Sequence, residues 1–268
     1  MDAELLKVLP PALHGCLTPL SGGLTNSSYR LTTEQGHYWL RRGRLRPHEL
    51  GIDRYHELIA HRAAAGAGLA PAIRFCEPQS GILVLDWLDE PDWRRQPGSL
   101  EALMPRVAQL HQLIPAGLPV LNLPERVRHY RQQLSAPPSW LTPLMAHFDR
   151  PELNPDFVPT LCHCDLTAGN LMGSRPWLVD WEYAALADPA FELAVIADDR
   201  GLSEQDCTGL LTHYRAAGGS MNMARLRARL HWVKLLTLLW ALVQYQHTGE
   251  AEYATWVDTA RKKLTSFQ

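Results

Sequence analysis

Four residues between positions 163 and 180 have the types and the spacing that phosphoryl transfer needs. His163 and Asp165 form a His-x-Asp pattern, Asn170 follows five residues after the aspartate, and Asp180 stands behind a short apolar run. One aspartate can orient an attacking hydroxyl group and accept its proton, while a second carboxylate and an amide oxygen can hold Mg²⁺ against phosphates. We therefore predict Asp165 as the catalytic base, Asn170 and Asp180 as magnesium ligands, and His163 as a hydrogen-bonding brace of the loop.

The alternative is that this segment is a polar surface loop without a catalytic function, in which the position of the asparagine is a coincidence. The apolar, strand-like run 177–179 before Asp180 argues against it, as does the identical His-x-Asp and Asp-to-Asn spacing in the protein-kinase catalytic loop. Cys162 and Cys164 flank the histidine and suggest zinc, but the other three cysteines are distant and form no Cys-x-x-Cys pair. We interpret both cysteines as small buried apolar residues.

A second group of polar residues, near the N-terminus, has the features of a nucleotide-binding loop. Glycines between two predicted strands allow close backbone approach, and hydroxyl and amide groups add donors for phosphate oxygens. The loop is not a Walker A motif, because no Gly-Lys-Ser/Thr follows, and no Gly-x-Gly-x-x-Gly opens a helix. The loop residues that we predict to contact ATP are Ser21, Gly22, Gly23, Thr25 and Asn26.

A cation on the next strands should meet the α- and β-phosphates of ATP, paired with a carboxylate on the following helix. No lysine occurs there, so Arg41 is the candidate, and Arg42 is its rival on the opposite face of the strand. Glu57 is the predicted partner on the helix. Asp86 and Leu88 end a strand that feeds the interlobe linker, where backbone groups would receive adenine.

The elements that position these residues change character along the chain. Strand patterns with one helix, over residues 48–65, occupy residues 1–88, and a Pro-, Asp- and Arg-rich linker follows at 89–98. Helical periodicity dominates beyond it, interrupted by a non-helical island at 160–180. We predict an α+β fold with a small β-rich, nucleotide-binding N-terminal lobe, residues 1–88, and a larger, mainly helical catalytic and substrate-binding lobe, residues 89–268.

The sequence resembles the aminoglycoside phosphotransferase and choline kinase superfamily along nearly its whole length. The segments that carry this resemblance are 163–170, Asp180-Trp181-Glu182-Tyr183-Ala184, Asp188-Pro189, Glu192-Leu193-Ala194 and Gly22-Gly23-Leu24-Thr25-Asn26. The resemblance implies a protein-kinase-like bilobal fold and an ATP- and Mg²⁺-dependent kinase. Because it is strongest to bacterial thiamine kinases and to choline kinases, we expect a hydroxyl of a small cationic metabolite as acceptor, thiamine first and choline or ethanolamine second.

The sequence gives weaker signals for the acceptor site than for the catalytic segment. Aromatic faces and carboxylates attract a positively charged nitrogen, and Trp181, Glu182 and Tyr183 directly follow the expected metal ligand, so we predict these three as acceptor-binding residues. Further aromatic candidates in the C-terminal half are Trp232, Trp240, Tyr245 and Trp256. Two alternatives stay open: an aminoglycoside-type antibiotic phosphotransferase, which needs many carboxylates in its pocket, and a catalytically silent binding protein on a kinase fold.

Composition limits the partners of this chain. Its 268 residues carry 26 lysines and arginines against 28 aspartates and glutamates, which predicts no nucleic-acid partner. The longest apolar stretch, 233–243, is too short to span a membrane. An acidic start without a secretory signal and five scattered cysteines favour a reducing, cytoplasmic compartment. We expect a small-molecule substrate and no membrane partner, and the sequence does not indicate an oligomeric state.

Overall fold

The computed structural model describes residues 2–20, 26–43 and 46–265. An antiparallel sheet forms the first part of the chain. Its strands are β1 (Cys16–Leu20), β2 (Ser27–Thr33), β3 (Gly36–Arg42), β4 (Ile73–Glu77) and β5 (Ile82–Asp86). Their order across the sheet is β1-β2-β3-β5-β4. Strands β2 and β3 form a hairpin, which turns at Glu34-Gln35 before Gly36.

Side-chain alternation gives this sheet two different faces. Leu31 of β2 and Leu40 of β3 are fully buried in a small core that also holds Leu5 of an N-terminal helix, α1 (Asp2–Val8), and Leu9, which directly follows that helix. Because successive side chains of a strand point to opposite faces, Arg41 lies on the other face. The sheet thus packs one apolar face against α1 and turns a cation toward the rest of the molecule.

The helix predicted over residues 48–65 begins later than expected. Residues Pro47–Leu50 form a short 3-10 helix, and Gly51 ends it with a φ of 70°, a left-handed conformation that glycine adopts readily. The α-helix proper, α2 (Arg54–Gly66), begins after Asp53, whose carboxylate accepts the backbone N–H groups of Tyr55 and His56. This N-cap satisfies donors that the first turn leaves unpaired, so the helix boundary falls there.

Helices dominate the remainder of the chain. They are α3 (Leu100–Leu110), α4 (Leu123–Gln133), α5 (Leu141–Ala146), α6 (Pro189–Asp199), α7 (Glu204–Ala216), α8 (Met223–Thr248) and α9 (Ala251–Thr265). The long helix α8 packs against α4, α6 and α9. Sequence periodicity predicted this helical part of the chain, whereas α1 was not predicted, because residues 1–88 were expected to hold one helix.

The non-helical island between α5 and α6 folds into two small antiparallel pairs. Strand β6 (Thr160–Cys162) pairs with β9 (Ala185–Ala187), and β7 (Leu171–Met172) pairs with β8 (Trp177–Leu178). The first pair closes the base of the segment, and the second pair folds it back on itself. The loop 163–170 and the residues after β8 are consequently presented side by side.

The segment predicted as a linker is anchored to this island. Trp93 is buried, its backbone N–H donates to the Leu171 carbonyl at 2.9 Å, and its indole Nε1 donates to the Gly173 carbonyl at 2.8 Å. Segment 89–98 is therefore not a free linker, because it supports the β7–β8 hairpin.

The large core lies among the helices and reaches into the first ninety residues. It includes Ala60 and Ala64 of α2 and Leu69 beyond that helix, together with the fully buried Leu238 and Leu239 of α8. A β-sheet lobe followed by a helical lobe confirms the predicted α+β, protein-kinase-like bilobal fold. Within the described ranges, no helix combines the length and the apolar character needed to cross a membrane.

The small core predicts a measurable cost for truncating Leu31, which is 0% exposed. Leu31→Ala should lower the free energy of unfolding by about 2–5 kcal/mol, because it removes buried methyl groups and leaves a cavity. Ile114→Ala is the control, since Ile114 is 67% exposed and its truncation should cost less than about 0.5 kcal/mol. Urea unfolding measures both values, and equal losses would contradict the core assignment.

Candidate active site

The loop between β6 and β7 holds the predicted base and one predicted metal ligand in direct contact. The Asn170 side-chain nitrogen donates to the Asp165 carboxylate at 2.8 Å and to the Asp165 backbone carbonyl at 2.8 Å. Both bonds use the amide nitrogen of Asn170, so its carbonyl oxygen is the atom that can bind a cation. Asp165 itself is half-buried, which leaves one side of the carboxylate open to a ligand.

Asp180 is brought to this loop by the β7–β8 hairpin. The Val179 backbone N–H donates to the backbone carbonyl of Asn170 at 3.0 Å, and His163 Nε2 lies 2.9 Å from the Val179 backbone carbonyl oxygen. Burial lowers the pKa of His163 to about 4, so this imidazole is neutral and can donate one N–H. The geometry fits the bracing role that we expected for His163.

A buried glutamate on α6 supports the same loop from behind. Glu192 is 0% exposed, and its Oε2 accepts the backbone N–H groups of His163 and Cys164. Cys164 has a φ of 65°, an uncommon conformation for a residue with a Cβ that persists where surrounding contacts impose it. Burial raises the pKa of Glu192 to about 7, although the two N–H donors oppose the shift.

Arg41, the cation that the sequence predicts for the nucleotide phosphates, lies against the loop 163–170. Both of its terminal nitrogens bond the two carboxylate oxygens of Glu57, with Nη2 to Oε2 at 2.8 Å, and Nη1 is 3.6 Å from Asp180 Oδ1. Arg41 is 2% exposed, whereas Arg42 is exposed. Of the two rivals, Arg41 therefore occupies the interlobe face.

The net charge of this region fits a bound cation. Burial and then the neighbouring Asp180 and Glu182 carboxylates raise the pKa of Asp165 well above its usual range. Burial and then Glu182 raise the pKa of Asp180 to about 8, against the opposing effect of Arg41. Asp180 Oδ1 is buried and has no hydrogen-bond partner among the described residues. A divalent cation held by Asn170 and Asp180 would neutralise this excess of carboxylates.

Glu182 and Asn26 take part in one ionic network, and the predicted contact of Asn26 with ATP stays a prediction. Glu182 is 6% exposed, and its Oε2 accepts hydrogen bonds from Asn26 Nδ2 at 2.8 Å and from Arg54 Nη1 at 3.0 Å. Arg54 Nη1 also donates to Glu57 Oε2 at 2.8 Å. Buried carboxylates require such partners, so the side chain of Glu182 is committed to the N-terminal lobe and away from an acceptor.

Trp181 also differs from its prediction as an acceptor-binding residue. It is 0% exposed, its indole Nε1 donates to the Leu178 carbonyl at 3.0 Å, and its ring lies 4.6 Å from that of His163 between centroids. The bulk of the indole fills the core beneath the catalytic loop. Trp181 is thus a packing residue that holds His163 in place.

Tyr183 is half-buried and continues into a group of aromatic residues from the C-terminal helices. Its hydroxyl accepts from Trp240 Nε1 at 2.9 Å. The Trp240 ring stacks on Trp256 with 5.8 Å between centroids and packs against Tyr253. We call Tyr183, Trp240, Tyr253 and Trp256 the aromatic cluster. Of the other aromatic candidates, Trp232 is buried in the core and Tyr245 is exposed.

The remaining nucleotide-binding predictions stay predictions. Asp86 pairs through its carboxylate with Arg74, and its backbone N–H donates to the Ala72 carbonyl at 3.0 Å. Leu88 is half-buried just beyond β5. The predicted loop residues Ser21, Gly22, Gly23 and Thr25 lie outside the described residues.

Cysteine chemistry does not account for this site. All five cysteines are free. Cys162 is buried with its sulfur near His111 and Glu192, the three ligand-type atoms lying within 4.8 Å of one another. This trio is one ligand short of a structural zinc site, and Glu192 is already engaged by the catalytic loop. Cys162 therefore packs as a small apolar residue, as the sequence indicated.

Three residues that position the site escaped prediction from the sequence. Glu192 was noted only within a resembling segment, Arg54 lay without an assigned role in the helix predicted over residues 48–65, and Trp93 lay in the predicted linker. The available signals were weak: a glutamate in an apolar helix for Glu192 and an arginine directly after an N-cap for Arg54.

With this geometry, the family of the chain can be stated. A model of the phosphotransferase enzyme family matches residues 17–232, and the chain belongs to this family. The match extends from the first strand of the sheet into α8, and so spans both lobes.

Individual relatives span the chain at low identity. A thiamine kinase of Escherichia coli is 26% identical over 97% of this chain and 94% of its own length. Protein LicA of Haemophilus influenzae is 25% identical over 88% of this chain and 76% of its own length. The crystal structure of a choline/ethanolamine kinase family protein from Mesorhizobium loti covers 99% of this chain and 93% of its own, with a TM-score of 0.80 and 24% identity. That structural likeness supports the fold.

His111, which is buried near Cys162 and Glu192, should make the stability of the folded protein sensitive to acid. Burial lowers the pKa of His111 to about 3, below the usual value of about 6.5 for a free histidine. Between these values the unfolded chain binds a proton that the folded chain does not, so stability falls as the pH falls. Relative to His111→Gln, the wild type should lose about 1.5 kcal/mol of unfolding free energy between pH 6.5 and 5.

Urea unfolding of both proteins across this pH range provides the measurement. Values at pH 8 give the pH-independent cost of the substitution. Parallel curves between pH 6.5 and 5 would refute a neutral, buried His111.

Proposed function

We propose that this protein transfers the γ-phosphoryl group of ATP to a hydroxyl of a small cationic metabolite, with thiamine as the first candidate acceptor and choline or ethanolamine second. The observation that carries the proposal is the 3.6 Å contact between Arg41 Nη1 and Asp180 Oδ1. It places the cation of the β-sheet lobe beside the carboxylate of the catalytic lobe, where the phosphates of one nucleotide would meet both.

Each residue of the proposed site has a distinct role in this mechanism. Asp165 orients the acceptor hydroxyl and accepts its proton, and Asn170 holds the Asp165 carboxylate at 2.8 Å. Arg41 neutralises the nucleotide phosphates and is held in place by the two hydrogen bonds that it donates to the Glu57 carboxylate. Burial alone would raise the pKa of Glu57, but Arg41 and Arg54 outweigh it and lower that pKa to about 2, so the carboxylate stays charged.

Magnesium is the expected cofactor of this site. Asn170 and Asp180 would hold it through an amide oxygen and a carboxylate oxygen, the hard ligands that this ion prefers. Bound there, the ion would neutralise charge on the transferring phosphoryl group. The buried Asp180 Oδ1 without a hydrogen-bond partner among the described residues is the feature that supports this assignment.

The aromatic cluster supports a cationic acceptor. Tyr183 follows the catalytic carboxylates in sequence, and burial together with Tyr130, Glu182 and Asp165 raises its pKa well above the usual range. Burial is the largest cause of this shift, and Tyr130, Glu182 and Asp165 add to it. Aromatic faces next to carboxylates attract quaternary nitrogen groups, such as a thiazolium or a trimethylammonium. The thiamine kinase relative, which spans nearly the whole chain, supports the order of the candidates.

The catalytic base is tested by Asp165→Ala. Turnover should fall by about 10²–10⁴-fold, because proton transfer by a positioned side chain contributes that much. Affinity for Mg-ADP, measured by calorimetry, should change little. Coupled detection of ADP release with thiamine, choline, ethanolamine, sugars and aminoglycosides provides the turnover measurement.

Asp149→Ala is the matched control, since Asp149 is exposed on a short 3-10 helix outside the site, and its turnover should equal that of the wild type. Unchanged turnover in Asp165→Ala would remove Asp165 from the mechanism. Absence of acceptor-stimulated ADP release with every compound would favour the silent binding protein, and a response to aminoglycosides alone would favour the antibiotic phosphotransferase.

Trp240→Ala tests the acceptor class. Loss of a desolvated cation–π contact of about 1–2 kcal/mol should raise the KM for the cationic acceptor by about 5–30-fold and leave the KM for ATP unchanged. A neutral carbon isostere of the acceptor distinguishes charge from shape, because its KM should rise less. Equal increases for the cation and its isostere would show that Trp240 contributes packing and no charge recognition.

A further inference from the structure

Arg54 occupies an unusual position for an arginine at the start of a helix. It is 7% exposed, and its guanidinium bonds residues from three parts of the chain. Nη1 donates to Glu57 Oε2 at 2.8 Å and to Glu182 Oε2 at 3.0 Å, while Nη2 donates to Asn26 Oδ1 at 2.9 Å. One side chain therefore joins the residue before β2, the first turn of α2 and the segment after β8.

The two carboxylates that Arg54 bonds each adjoin one half of the proposed site. Glu57 holds Arg41, the proposed phosphate cation of the sheet lobe. Glu182 stands two residues after Asp180, the proposed metal ligand of the helical lobe. Arg54 is thus connected to both sides of the 3.6 Å contact between Arg41 and Asp180.

The charges facing Arg54 explain why a cation is needed here. Buried carboxylates approach from α2 through Glu57 and from the helical lobe through Glu182, and the second cation, Arg41, already serves Glu57 and Asp180. A planar guanidinium can bond several acceptors in fixed directions, whereas an ammonium group acts as a point charge. The fork of Arg54 therefore fixes the relative position of the two carboxylates as well as their charge.

Packing encloses this guanidinium from the sheet side. A Cβ added to Gly43 would lie 3.1 Å from Arg54 Nη2 and 3.1 Å from the Gly81 Cα. The Gly43 N–H also donates to the Gly81 carbonyl at 2.8 Å. The end of β3 and the turn before β5 therefore pass directly over Arg54, which leaves its guanidinium group little room to reorient.

We propose that Arg54 is a positioning residue that sets the distance between the phosphate cation Arg41 and the metal ligand Asp180 by bonding Glu57 and Glu182 at once. It acts through these two carboxylates. This inference rests on the proposed function, and its test includes a nucleotide-binding measurement that needs no acceptor.

The test is a double-mutant cycle of Arg54→Gln, Glu182→Gln and the double variant. Each single substitution should raise the Kd for Mg-ADP at least tenfold and lower kcat at least tenfold, with the KM for the acceptor changed less than twofold. Because both residues act through one contact, the double variant should be no worse than the poorer single variant. Arg54→Lys keeps the charge without the fork and should recover only part of the loss.

The matched control is Arg229→Gln. Arg229 is another buried arginine, paired at 2.7 Å with Asp188, the N-cap residue of α6, and its loss should lower Tm without changing the Kd for Mg-ADP more than twofold. Additive effects in the cycle, or an Arg54→Gln variant that loses Tm but keeps nucleotide affinity, would overturn the inference. If Arg54→Gln does not fold, Arg54→Lys with Glu182→Gln completes an equivalent cycle. A wild type that binds Mg-ADP but phosphorylates no acceptor refutes the proposed function separately, while the binding cycle still decides the role of Arg54.

Discussion

Repulsion between closely spaced carboxylates is the constraint on which this structure depends. Burial raises the pKa of Asp165 and of Asp180, and the neighbouring Glu182 carboxylate adds to both shifts, because little solvent is left to screen these charges. Phosphoryl transfer needs such groups together, because one must accept a proton while another binds a metal. The fold balances the excess negative charge with two buried arginines and leaves the rest of that charge available to a cation.

Rigid support is the second requirement, since mutual repulsion would otherwise open the loop. The supports come from every side and use backbone groups. Glu192 accepts two N–H groups of the loop, His163 bonds the Val179 carbonyl, and Trp93 holds the β7–β8 hairpin. Groups held at both ends can keep a geometry that the charges alone would not choose. The left-handed conformations of Cys164 and Asp180 are consistent with backbone held against local preference.

The parts of the site that could be predicted are those encoded locally. The spacing of His163, Asp165, Asn170 and Asp180 was enough to predict the proposed catalytic segment, because one loop and one hairpin carry all four. Arg54 and Glu192 could not be predicted in this way, since their partners lie 128 and 29 residues away and residue type alone does not distinguish a buried ion pair from an exposed helix charge. Trp181 and Glu182 show the same limit, because adjacency to the predicted metal ligand Asp180 does not say which way a side chain points. The fold was easier, because strand alternation and helical periodicity repeat over many residues.

The division into cores connects these observations to how the lobes work together. Helix α2 lies between β3 and β4 in sequence, yet its Ala60 and Ala64 pack in the large helical core, while β3 contributes Leu40 to the small core under α1. The Arg41–Glu57 pair therefore joins β3, which packs in one core, to α2, which packs in the other. A shift of one core relative to the other would change this pair before it changed any bond within the catalytic loop. Arg54 begins the helix that carries Glu57 and also bonds Glu182, so it ties the pair to the helical lobe at the point where such a shift would have its largest effect on the phosphate cation.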